Sequence, residues 1–124
     1  MFNKWSCWQY RDNANCWDFV RSFLVEEAGV PSEDVPKFGI CPKDKRSMTK
    51  ASTEVESQFV DSEPVQYAIA CHYYGKVLYH VGVVDQGRIR HTGEKIGTMY
   101  ESIKDFEARA SVTKYKIHQS LCQN

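Results

Sequence analysis

Two turn signals, Gly75-Lys76 and Asp85-Gln86-Gly87, do most to limit how this chain folds. Each separates runs of β character by too few residues to hold a crossover helix, so the flanking strands must run antiparallel. In the first run, 65–73, Val65, Tyr67, Ile69, Cys71 and Tyr73 alternate with Gln66, Ala68, Ala70 and His72. The runs at 77–84 and 88–92 follow, and Val112–His118 alternates again as a last strand. Period two of this kind is the pattern of a strand on a layered sheet.

Helical signals stand before and after this region. Asn15 is a good N-cap, and Asp18 three residues on can close a capping box. Phe19, Val20, Phe23, Leu24 and Ala28 then fall on one helical face, and Gly29-Val30-Pro31 reads as a stop. The spacing predicts a helix over 15–28. Pro31, Pro36, Gly39 and Pro42 make 30–47 an irregular excursion. Val55 and Phe59 predict a short helix over 48–59, and Ser102 caps a helical turn through Phe106. One helix, a meander and a closing strand give an α+β fold with the N-terminal helix packed on an antiparallel sheet.

At 124 residues the chain, 1–124, reads as a single domain. Sixteen basic residues balance sixteen acidic ones, so no footprint for nucleic acid or an anionic membrane is expected. The basic run Lys43-Asp44-Lys45-Arg46 reads as solvated loop. No apolar stretch is long enough to span a bilayer, and the N-terminus has no apolar signal core, so synthesis in the cytoplasm is expected. Cysteines at 7, 16, 41, 71 and 122 are odd in number and fit no zinc spacing. A reduced chain with a free thiol, no structural metal and no cofactor is expected.

The chemistry centres on Cys16. At a helix start, exposed N–H groups and the positive end of the dipole favour a thiolate. The competing reading is a buried core cysteine. His80 lies in the apolar strand Val77-Leu78-Tyr79-His80-Val81-Gly82-Val83, as either a satisfied core histidine or a base. Gly82, on the same face, would leave room beside it for a ligand or another backbone. His91 follows on the next strand. A two-residue turn at Asp85-Gln86 places His91 opposite His80, and one at Gln86-Gly87 places it diagonally on the same face. A three-residue loop with a glycine bulge puts the two on opposite faces. If adjacent, His91 fixes the tautomer of His80 as a third triad member does. Tyr10 is a candidate oxyanion donor over the helix start, and Trp17 belongs to an aromatic group that reads as core or as substrate groove. His72 points away from Cys71, and His118, near the tail, is expected at the surface.

These residues resemble the NlpC-type cysteine peptidases, papain-like enzymes that cleave peptides of the bacterial cell wall. The family's cysteine opens a helix, here Asn15-Cys16-Trp17-Asp18-Phe19-Val20-Arg21, in a Cys-Trp form similar to that of phage tail members. The histidine motif stands as His80-Val81-Gly82-Val83, with His91 about where a third polar residue falls. Ile96-Gly97 and Ser102-Ile103-Lys104-Asp105-Phe106 look like segments that follow it. The family's Gly-Gly before the cysteine is replaced by Asp12-Asn13-Ala14, and the Gly-Asp-Leu before the histidine strand is missing. The resemblance implies a papain-like fold, Cys16 as nucleophile, His80 as base and His91 as orienter, with Tyr10, Trp17 and Gly82 beside the substrate. It also implies hydrolysis of peptidoglycan stem peptides, with a bacteriophage tail or lysis setting. Alternatives are a thiol acyltransferase, a deamidase, a toxin-like protease acting on a host protein, or a non-catalytic interaction module.

Overall fold

The computed structural model describes residues 3–11, 15–37 and 45–122. Its first α-helix, α1 (Cys16–Glu26), begins where the side chain of Asn15 accepts from the N–H groups of Trp17 and Asp18. The Asp18 carboxylate accepts in return from the Asn15 N–H at 2.9 Å, completing the capping box. The helix buries Cys16, Trp17, Phe19, Val20, Phe23 and Leu24, and the chain turns away at Gly29, whose φ of 75° suits glycine. The sequence-predicted helix is found, two residues shorter at its C-terminus than the 15–28 read from spacing. A short 3-10 turn, Lys4–Cys7, precedes it.

The second helix, α2 (Lys45–Gln58), starts three residues before the expected 48 and takes in the end of the stretch read as irregular. Residues 38–44, including Lys43 and Asp44 of the basic run, lie outside the described residues, as does Asp12-Asn13-Ala14. Phe59 leaves the helix to open β1 (Phe59–Asp61). The remaining elements are β2 (Ile69–Tyr74), β3 (Val77–Asp85), β4 (Arg88–Gly93), β5 (Gly97–Ser102), α3 (Ile103–Glu107) and β6 (Val112–His118). The described strands form one six-stranded antiparallel sheet in the order β1-β6-β2-β3-β4-β5. The fold is α+β, and no helix among the described residues is long and apolar enough to cross a membrane.

Both faces of the sheet are covered. Ile69, Cys71, Val81 and Val83 pack with α1 and with Val55 of α2. On the other face Ala68, Ala70, Val84 and Ile89 pack against Phe106 of α3. β2 is buried on both sides, its small or polar face, with Ala70 and His72, lying toward Phe106 of α3. That strand also begins later than expected, because Tyr67 takes a positive φ of 70° and the Ala68 N–H closes a turn onto Val65 O.

The β3–β4 turn settles the open register. Asp85 pairs with Arg88, leaving Gln86 and Gly87 as a two-residue turn with φ of 53° and 79°, the two positive values a type I′ hairpin requires. Gly82 therefore faces His91, and His80 lies diagonally on the same face. One residue before His80 the pairing of β3 with β2 slips, from His72–His80 to Tyr73–Leu78, so Tyr79 is an extra residue. A bulge of this kind bends a strand and re-aims its side chains.

Candidate functional site

Cys16 sits on the first turn of α1, with α1 packed on β3. Its exposure is 4 %. Burial pushes the thiol up to about 12, against the opposing pull of the Val81 and Trp17 N–H groups. The expected thiolate at a helix start is therefore corrected: removal from water outweighs the helix end, and the resting group is a thiol.

The imidazoles form a hydrogen-bonded line across three strands. His80 Nε2 lies 2.9 Å from His91 Nδ1. The fully buried His91 meets the Glu101 carboxylate through Nε2. Glu101 in turn accepts from Arg109 twice on one oxygen and once on the other, with Nε at 2.8 and 3.1 Å and Nη2 at 3.0 Å. Burial draws the Glu101 carboxyl upward, but Arg109 and His91 overcome it and hold the group below its ordinary value. An ionised Glu101 can only accept, so the His91 proton is on Nε2 and its Nδ1 is a bare acceptor. His80 must then donate from Nε2, which leaves His80 Nδ1 as the basic nitrogen. His80 has no second hydrogen bond among the described residues, and its ring lines a cavity of about 490 Å³. Cys16 and Tyr10 line the same cavity, with Tyr79, Thr92 and Gly93 at the end of β4, residues 94–96 that follow it, and Arg109. Burial lowers His80 well below its ordinary value, helped by His91 and His72, and burial also lowers His91. Thiol and base thus rest uncharged.

The structure brings Cys16, His80 and Tyr10 to one cavity and His91 behind His80. Neither Trp17 nor Gly82 is among the residues that line this cavity. Trp17 is fully buried, with Nε1 donating to Pro36 O at 2.8 Å and its ring edge against Phe59, so it is core. Gly82 serves strand packing: an added Cβ would lie 2.7 Å from Ile89 Cγ2 and 3.0 Å from both Arg90 O and His91 Cβ. The room beside His80 is filled by the neighbouring strand. His118, expected at the surface, is 1 % exposed and bonds Asp34 O at 2.8 Å and Ser120 Oγ at 2.7 Å. Phe59, its pairing partner on β1, also meets the ring edge-on.

Glu101 and Arg109 are absent from the sequence expectations, and His72 enters them only as a residue that cannot cooperate with Cys71. A hairpin signal was present in Gly93 and Gly97, which pair at the β4–β5 turn and would have placed Glu101 beside His91. His72 lies on the same face as His80, its cross-strand partner, with ring centroids 5.5 Å apart. Despite these clustered histidines, no group of three or more His, Cys, Asp or Glu among the described residues could hold a metal ion. Cys7, Cys16, Cys71 and Cys122 are free thiols, and Cys41 lies outside the described residues. Comparison with family models, with curated proteins and with solved structures finds no match for this chain.

Proposed function

We propose that this protein is a papain-like thiol hydrolase acting on amide bonds of peptidoglycan stem peptides. The observation that carries the hydrolase reading is the Arg109–Glu101–His91–His80 line, which leaves one basic nitrogen on His80 in the cavity that Cys16 also lines. The substrate rests on the resemblance of the Asn15–Arg21 and His80–Val83 segments to NlpC-type peptidases, and a phage tail or lysis setting follows from the same resemblance.

Because thiol and imidazole rest neutral, the S–H proton passes to His80 Nδ1 as sulfur attacks the carbonyl carbon. The tetrahedral adduct collapses by breaking the C–N bond, with His80 returning that proton to the leaving amine. Water, deprotonated by His80, then hydrolyses the thioester and regenerates the thiol. In this reading Tyr10, which lines the same cavity, is the donor to the oxyanion.

Mass spectrometry of purified muropeptides after incubation with the protein tests the reading. New amine and carboxyl termini are expected with the wild type and none with Cys16→Ala; full hydrolysis by that variant would overturn the mechanism. The 4 % exposure of Cys16 favours one other reading, a non-catalytic module on the same scaffold. That reading gains if Cys16 stays unmodified by iodoacetamide at pH 8 and no muropeptide is cleaved.

A further inference from the structure

His72 plays no part in the proton path above, yet it is the most tightly clamped imidazole facing the cavity. It is 2 % exposed, and its ring stacks on Phe106 at 3.9 Å between centroids and 25° between planes. Its Nε2 lies 2.9 Å from Phe106 O. A carbonyl oxygen can only accept, so Nε2 carries the proton and Nδ1 is left with a lone pair. No hydrogen bond of Nδ1 occurs among the described residues. Nor is Nδ1 sealed in the core: the one described buried side-chain nitrogen or oxygen without a partner is Thr113 Oγ1. The ring lines the cavity beside His80, and with Nε2 held by Phe106 O, Nδ1 is the nitrogen it has left for a ligand there.

We propose that His72 Nδ1 is a substrate-binding acceptor, taking an N–H of the bound peptide next to the bond that His80 attends. The proposal rests on the hydrolase reading and names a subsite within it. A fixed lone pair attracts an amide or amine N–H and repels a carbonyl or carboxylate oxygen at the same place. Burial, opposed by the Phe106 carbonyl, holds His72 down at about 4, so around neutral pH the acceptor is not lost to protonation. The stack on Phe106 and the bond to its carbonyl fix the ring before substrate arrives, so little ordering is required on binding.

Two substitutions separate binding from a merely structural role. In His72→Gln the amide nitrogen can reach the place of Nε2 and hold Phe106 O, while the acceptor at Nδ1 is lost. In His72→Asn the side-chain oxygen takes the place of Nδ1, and the bond to Phe106 O is lost. With a stem tetrapeptide as probe, His72→Gln is expected to melt near the wild type and to raise KM about five- to tenfold with little change in kcat. His72→Asn is expected to melt lower and to rescue KM. N-methylation of the recognised amide should weaken the wild type by the same factor and leave His72→Gln unaffected. An unchanged KM in His72→Gln, or failure of N-methylation to distinguish the two proteins, overturns the proposal.

Nitrogen NMR of histidine-labelled Cys16→Ala gives a reading that needs no His72 variant and no turnover. His72 should show a protonated Nε2 and a bare Nδ1, whose resonance moves when the tetrapeptide or a simple dipeptide amide is added. A protonated Nδ1, or a resonance that ignores both probes at saturation, overturns the proposal. Loss of the hydrolase reading shows separately, as wild-type protein that leaves the tetrapeptide intact.

Discussion

Glu101→Gln tests the proton path at its buried end. The Glu101 carboxylate accepts from His91, and Arg109 keeps it ionised. A glutamine there can donate to His91 Nε2, which moves the His91 proton to Nδ1, makes His80 Nε2 the acceptor and leaves His80 Nδ1 protonated on the cavity side. It also leaves Arg109 facing the imidazolium that His80 becomes in the transition state. A hydrogen bond to an ionised partner contributes about 1.5–3 kcal/mol. A carboxylate roughly 8 Å from an imidazolium, at an effective dielectric of about 20, contributes about 2 kcal/mol. The two overlap, so about 3–4 kcal/mol of transition-state stabilisation is at stake, roughly 10²–10³-fold in kcat/KM. The assay is muropeptide hydrolysis, with a thermal melt to verify folding. A folded variant within threefold of the wild type would refute the tautomer argument, and Glu101 would be no more than a strut between β5 and Arg109.

Three further outcomes follow from particular contacts. Burial pulls His72 down to about 4 from 6.5 and lowers His80 and His91, so below pH 6.5 the unfolded chain binds protons that the native state refuses. Stability should therefore fall as pH drops from about 6.5 to about 4, by up to about 1.4 kcal/mol per pH unit for each histidine, and urea midpoints that do not move with pH would contradict this. Gly82→Ala forces a methyl into Ile89 and His91 and should destabilise by about 1–3 kcal/mol, read as a lower melting temperature; a neutral result would mean that β3 and β4 can part at no cost. Trp17→Phe loses the bond to Pro36 O and should cost about 1–3 kcal/mol of stability while KM holds; a shifted KM at unchanged stability would return Trp17 to the substrate groove.

What could be read in advance was what short-range chemistry decides. Asn15 and Asp18 close the N-terminus of α1 by their own side chains, and Gly75 and Gly87 make their hairpins with positive φ. The histidine motif fell in β3 where alternation placed it, although whether His91 shared its face waited on one residue of register. What could not be read depended on distant partners. β1 is three residues long and exists because Phe59, Val60 and Asp61 find β6. β5 mixes Thr, Met, Tyr and Glu, a pattern that makes sense only once Met99 faces His91 and Glu101 faces Ile89. His72 was set aside because it points away from Cys71, whereas its own face is the one that carries His80 and meets Phe106 of α3. The Cys16 thiol went the other way from its helix end because burial, a property of the whole fold, outweighs a local dipole.

The order of the strands carries a consequence for how such a site assembles. His80, His91, Glu101 and Arg109 all come from one continuous stretch, β3 to the turn after α3, whose hairpins pair neighbours in the chain. Cys16, the proposed nucleophile, comes from far upstream, on a helix that packs on β3. Loops between near neighbours close quickly and distant ones slowly. The imidazole line therefore closes through short loops, whereas α1 joins it across a long one. In the proposed hydrolase, a chain in which α1 has not docked on β3 would hold the base without its nucleophile.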